Sequence, residues 1–218
     1  MQGQGEPRPE PKSTLPMPAT DDEIREKYLE RAIRELNSLT RELQGCELCP
    51  RGNLMPVLGS GHPQADVMLL KHAPTTSEVE EGVAFYGRSG TALMKALRRL
   101  QIDPLAVYGT LCCKCPVDDP VLADPECIAR VVEEIAIVQP KVIVTMGDDA
   151  LRTLDGLQVP LARSLDHDRL GEVQPFTPSI DVLHVPNIDG ALDEEAAKRE
   201  FWSAFRVLGA WFADLPPY

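Results

Sequence analysis

The side chains with the plainest chemistry are cysteines. Cys46 and Cys49 form a C-x-x-C pair, and Cys115 and Cys127 follow far downstream with 11 residues between them. Brought together, four thiolates make a soft metal centre, although a C-x-x-C pair is shared by zinc sites, redox dithiols and iron–sulfur clusters. Zinc and a 4Fe–4S cluster both accept four thiolates, so ligand type does not choose between them. Cys112 and Cys113 lie inside an apolar run and read as small buried hydrophobes.

The elements that must position these groups follow from periodicity. Thr20-Asp21-Asp22-Glu23 is a capping-box signature, in which a hydroxyl and a carboxylate satisfy free amides at a helix start. Ile24, Tyr28, Ala32, Leu36, Leu39 and Leu43 then form one apolar stripe on a helix running to about Gln44. Beyond it, short apolar runs at Ala65 to Leu70, Val107 to Cys113, Lys141 to Met146 and Asp181 to Val185 read as strands. Amphipathic stretches at Gly90 to Leu100, Pro125 to Val138, Asp148 to Leu154 and Ala191 to Ala213 read as helices. The alternation predicts an α/β fold with a mainly parallel sheet and ligands in the loops after Leu70, Cys113, Met146 and Val185. Pro160 to Pro178 shows no period and reads as loop. The Pro-rich residues 1–19 read as a disordered tail, leaving residues 20–215 as a single domain.

Composition bounds the function. At 218 residues, 43% hydrophobic and 26% charged, the chain matches an ordinary globular domain with a tail. Its 22 basic and 34 acidic residues give a net charge of −12, which excludes a uniformly basic nucleic-acid surface and confines any DNA contact to a local patch. Six cysteines are too few for a disulfide scaffold at this length. Apolar runs such as Val67 to Leu70 fall far short of the ~20 residues of a membrane span, so a soluble, cytoplasmic protein is expected.

Val67 to Gly90 reads VMLLKHAPTTSEVEEGVAFYGRSG, and it resembles without a gap the family-four uracil-DNA glycosylase segment V-M-x-V-G-E-A-P-G-x-x-E-D-x-x-G-x-P-F-x-G-R-A-G. Val57 to Gly61, Val107 to Pro116 against Y-x-T-N-V-V-K-C, and Ile135 to Gly147 keep the family's order. The likeness spans about Leu43 to Gly156. It implies the three-layer α/β/α glycosylase fold, an action on DNA in base-excision repair, and a 4Fe–4S cluster on Cys46, Cys49, Cys115 and Cys127, with zinc as the alternative metal. Cys113 is the nearest substitute for Cys127.

Excising a base requires extruding it onto an aromatic wall, a carboxylate to position water, and a donor for the departing base. The resemblance assigns the wall to Phe85, with Pro74, Gly87 and Arg88 beside it. The working groups differ. Lys71 and His72 stand where the family has the glycine and the acid of G-E-A-P-G, and Leu111 stands where its asparagine reads uracil. In Leu183-His184-Val185-Pro186-Asn187, Val185 falls on the family's leaving-base histidine, so His184 would serve only with a one-residue shift that reverses its face. Lys71 as an amine nucleophile, His72 as a proton carrier and His184 are the catalytic candidates. Glu78, Glu80 and Glu81 read as a solvated acidic loop, and Arg88, Lys95, Arg98 and Arg99 as a basic strip. The expectation is altered or reduced base excision by a monomer, against a catalytically silent module that binds nucleic acid or a protein.

Overall fold

A computed structural model describes residues 20–216; the expected tail lies outside them. Helix α1 (Asp21–Gln44) begins with the expected capping box: Thr20 Oγ1 accepts from Glu23 N at 3.3 Å, and Glu23 Oε2 accepts from Thr20 N at 2.8 Å. Only the later part of its stripe is buried, at Ala32, Leu39 and Leu43. Ile24 and Tyr28 stay exposed.

The sheet comprises β1 (Ser60–Gly61), β2 (Val67–Lys71), β3 (Val107–Leu111), β4 (Val142–Met146), β5 (Val173–Pro175) and β6 (Asp181–Val185). Their order is β1-β3-β2-β4-β6-β5. The four central strands run parallel and the two short edge strands antiparallel. The crossovers contain α2 (Thr76–Glu81), α3 (Arg88–Arg99), α4 (Pro125–Val138) and α5 (Asp148–Gly156), and α6 (Ile188–Ala191) and α7 (Glu195–Ala213) follow β6.

Because strand side chains alternate between faces, each central strand feeds two cores. Val67, Leu69, Val144, Leu183 and Val185 pack with α3, α6 and α7, whereas Met68, Leu70, Ile143 and Val182 pack with α4 and α5. The result is the three-layer α/β/α arrangement. The expected strand Val107 to Cys113 ends at Leu111, and three larger features also depart from the sequence reading. Ala191 to Ala213 is interrupted between α6 and α7, the Pro160 to Pro178 loop contains β5, and the segment after β2 forms α2. No helix among the described residues is long and apolar enough to cross a membrane.

Candidate active site and metal centre

Lys71 is the last residue of β2, on the face of Val67 and Leu69, and its side chain is 2% exposed. A lysine ammonium so buried must find acceptors. It finds two: Nζ donates to Glu78 Oε2 at 2.9 Å and to Asp189 Oδ2 at 2.7 Å. Glu78, far from solvated, is fully buried. Its carboxylate also accepts from Thr75 N at 2.7 Å, Thr75 Oγ1 at 2.9 Å and Phe85 N at 2.5 Å, so one side chain ties the Lys71 loop to the Phe85 turn. Glu80 and Glu81 are exposed as expected. Asp189, just past β6, is 28% exposed and is the carboxylate of the triad that solvent reaches.

Phe85 is the aromatic member of this group. Its backbone adopts φ 59°, a region costly for a bulky residue and common at functional sites. Close packing holds it there. A Cβ on Gly90 would lie 1.7 Å from the Phe85 carbonyl oxygen, and one on Gly109 would lie 2.5 Å from its ring. Lys71 Nζ sits 5.4 Å from the ring centroid, within cation–π range. Leu111, fully buried, packs against Phe85 with Val57 and Ala84. Pro74 is half-buried in the loop after β2. Gly87 precedes α3 with φ 89°, and the exposed Arg88 pairs with Asp193 Oδ1 at 2.9 Å.

The two histidines point elsewhere. His72 Nδ1 lies 3.1 Å from Thr153 Oγ1 on α5. His184 pairs in register with Thr145 and is 1% exposed. Its Nδ1 is 3.3 Å from Thr145 Oγ1 and its Nε2 is 3.1 Å from Asp148 Oδ1. It therefore occupies the α5 face, opposite Lys71 and Phe85, while Val185 occupies the Lys71 face. The structure thus joins Lys71, Phe85 and Leu111 and separates His184 from them. Sequence reasoning missed Glu78 and Asp189 as partners. The available signals were the T-x-x-E spacing of Thr75 and Glu78 and a lysine on an otherwise apolar strand.

The cysteines gather where the segments after α1 and β3 meet the first turn of α4. Cys49, Cys115 and Cys127 have Sγ atoms all within 4.8 Å of one another, and all three are buried. Cys115 and Cys127 approach to 3.4 Å. Asp124 N donates to Cys49 Sγ at 3.3 Å, and Cys113 packs in the same cluster. Lys114 fixes the loop, because its buried Nζ donates to Leu111 O at 2.7 Å and pairs with Glu134 at 2.8 Å. The Cys115 S–H holds the Cys127 thiol below its ordinary range, and burial raises Cys49. Three buried, converging thiols suit a soft metal. Cys46 is half-exposed and outside the converging set.

The three-layer α/β/α fold thus carries an aromatic beside a largely buried ion triad, with a cluster of three buried thiols apart from them. Residues 58–206 match the model of the Uracil DNA glycosylase superfamily, and the chain belongs to that family. Its relatives include Type-4 uracil-DNA glycosylases. That of Sulfurisphaera tokodaii is 30% identical over 125 residues, covering 51% of this chain and 54% of the relative. That of Pyrobaculum aerophilum is 31% identical over 121 residues, covering 52% and 61%. That of Archaeoglobus fulgidus is 24% identical over 187 residues, covering 81% and 93%. The chain thus spans between one half and two thirds of the first two relatives.

Proposed function

We propose that this chain is a family-four-like DNA glycosylase of base-excision repair whose excision chemistry runs on the Lys71–Asp189 pair. The observation that carries the reading is the contact of one buried ammonium with Glu78 and Asp189 beside Phe85. Cleaving the sugar–base bond builds positive charge on the sugar and negative charge on the departing base. A fixed carboxylate and a fixed cation lower that barrier because each meets charge that develops only in the transition state. Asp189, reached by solvent, is the carboxylate that would position water, since His72 offers none. Lys71, 5.4 Å from the Phe85 ring centroid, supplies a fixed positive charge beside the wall on which the departing base would lie. Its amine is engaged by two carboxylates, which favours this electrostatic role over attack on a sugar carbon. Glu78 is the positioning residue that orients Lys71.

Leu111 offers no hydrogen bond to a pyrimidine edge, and each unpaired polar group of a buried uracil costs ~1–3 kcal/mol. Preference for uracil is accordingly weak, and activity on uracil is reduced relative to a site that pairs that edge. Cys49, Cys115, Cys127 and either Cys46 or Cys113 would hold a 4Fe–4S cluster, with zinc the alternative. When bound, it pins the loops and supplies no step of the reaction. A reducing cytoplasm suits such thiols.

The test incubates the protein with oligonucleotides carrying uracil, hypoxanthine or xanthine, beside Asp189→Asn and Lys71→Ala. Release of at least one base, lost in Asp189→Asn, is expected. No release from any of them would overturn the enzymatic reading in favour of a silent binding module, a role that the apolar Leu111 wall also fits.

A further inference from the structure

A groove of about 790 Å³ runs between α3 and α7, and its lining includes Arg88, Lys95, Arg99 and Lys198 with Tyr86 and Trp202. Its size falls in the ~300–1,000 Å³ range of ligand sites. Among the described residues, four cations and no carboxylate line it, on a chain of net charge −12. Arg88, Lys95 and Arg99 recur at helical spacing on one face of α3. Among the described residues, no carboxylate lies within ion-pair distance of Lys95 or Arg99, and Arg99 lies 5.9 Å from the Trp202 ring centroid. Arg88 and Lys198 pair, among the described residues, with the exposed carboxylates of Asp193 and Glu195, contacts that contribute little in water.

The groove also starts where the base site ends. Tyr86 follows Phe85 in the chain, and the lining residue Ile188 precedes Asp189. A chain leaving the Phe85 wall therefore meets a cationic track with an exposed tyrosine and a half-buried tryptophan. Phosphates bind to the cations, and unpaired bases stack on such rings with little regard to sequence.

We infer that this groove binds the flanking backbone of the DNA strand from which the base is extruded, as a single strand. The inference rests on the DNA-acting reading above and assigns it a second, separate surface. Four phosphate contacts on a single strand predict a log–log salt slope of about −2.8, so binding weakens about 50-fold between 50 and 200 mM salt. Replacing two of the cations leaves a slope of about −1.4, or about sevenfold over the same range.

The experiment measures fluorescence anisotropy of a labelled single-stranded oligonucleotide and of its duplex across that salt range. Wild type is compared with Lys95→Gln/Arg99→Gln and with the charge-matched control Arg98→Gln/Arg163→Gln, all four positions being exposed. The expected result is weaker single-strand binding and a halved slope in the groove variant alone. If wild type binds DNA but the groove variant binds equally well with an unchanged slope, the groove assignment fails while the DNA-acting reading stands. Loss confined to the duplex overturns the single-strand assignment. If wild type binds neither form, both readings fall.

Discussion

Lys71→Met is the sharpest perturbation of the site. It removes a cation that is 2% exposed and leaves Glu78 at 0% and Asp189 at 28% exposure. Breaking a buried pair by deleting one partner costs ~3–5 kcal/mol, because the other charge stays buried. Glu78 keeps three donors, from Thr75 N, Thr75 Oγ1 and Phe85 N, and Asp189 can turn to water, which places the loss near the low end, about 3 kcal/mol. For a chain of this size each kcal/mol lowers Tm by ~2–4 °C, so Tm falls by about 6–12 °C. Calorimetry and urea titration with the full chain measure it. The double variant Lys71→Met/Glu78→Gln recovers part of the loss, because the orphaned charge is then gone. A Lys71→Met protein as stable as wild type, or a double variant whose losses simply add, would refute the buried triad.

Gly109→Ala puts a methyl within 2.5 Å of the Phe85 ring, so base release falls while the fold survives; a crystal structure of the variant shows the ring displaced. Cys127→Ser lowers metal content and thermal stability together, read by elemental analysis and melting. Cys46→Ser does so less, since Cys46 lies outside the converging set; equal losses in both would mean that Cys46 moves in as a full ligand. Cys112 is fully buried with its thiol pushed up to about 12 by that burial. It therefore resists iodoacetamide in the native protein at pH 8 and reacts on unfolding, as mass spectrometry would show.

Local chemistry was legible where it alone decides. Pro125–Val138 and Asp181–Val185 match their predicted bounds, because an Asp-Pro start and a bounded apolar run are local signals. Apolar Cys112 and Cys113 made the third strand read two residues too long, whereas β3 ends at Leu111. The helical period through Ala191 to Ala213 concealed the break before Glu195. Edge strand β5, with Pro175 in three residues, carries too little pattern to see. At the site, the strand period correctly sends His184 away from Phe85. For Glu78 the only signals were the T-x-x-E spacing and a lysine on an apolar strand, whereas Asp189 reaches Lys71 from 118 residues further along. No local pattern reports such a pairing.

The most direct measurement is a crystal structure of Asp189→Asn bound to a single-stranded oligonucleotide containing the base that wild type releases best. The account predicts the intact nucleotide turned out, its base lying on the Phe85 ring with Lys71 Nζ still held by Glu78. A strand bound with no base at Phe85, or a base lodged beside His184 on the α5 face, would contradict it.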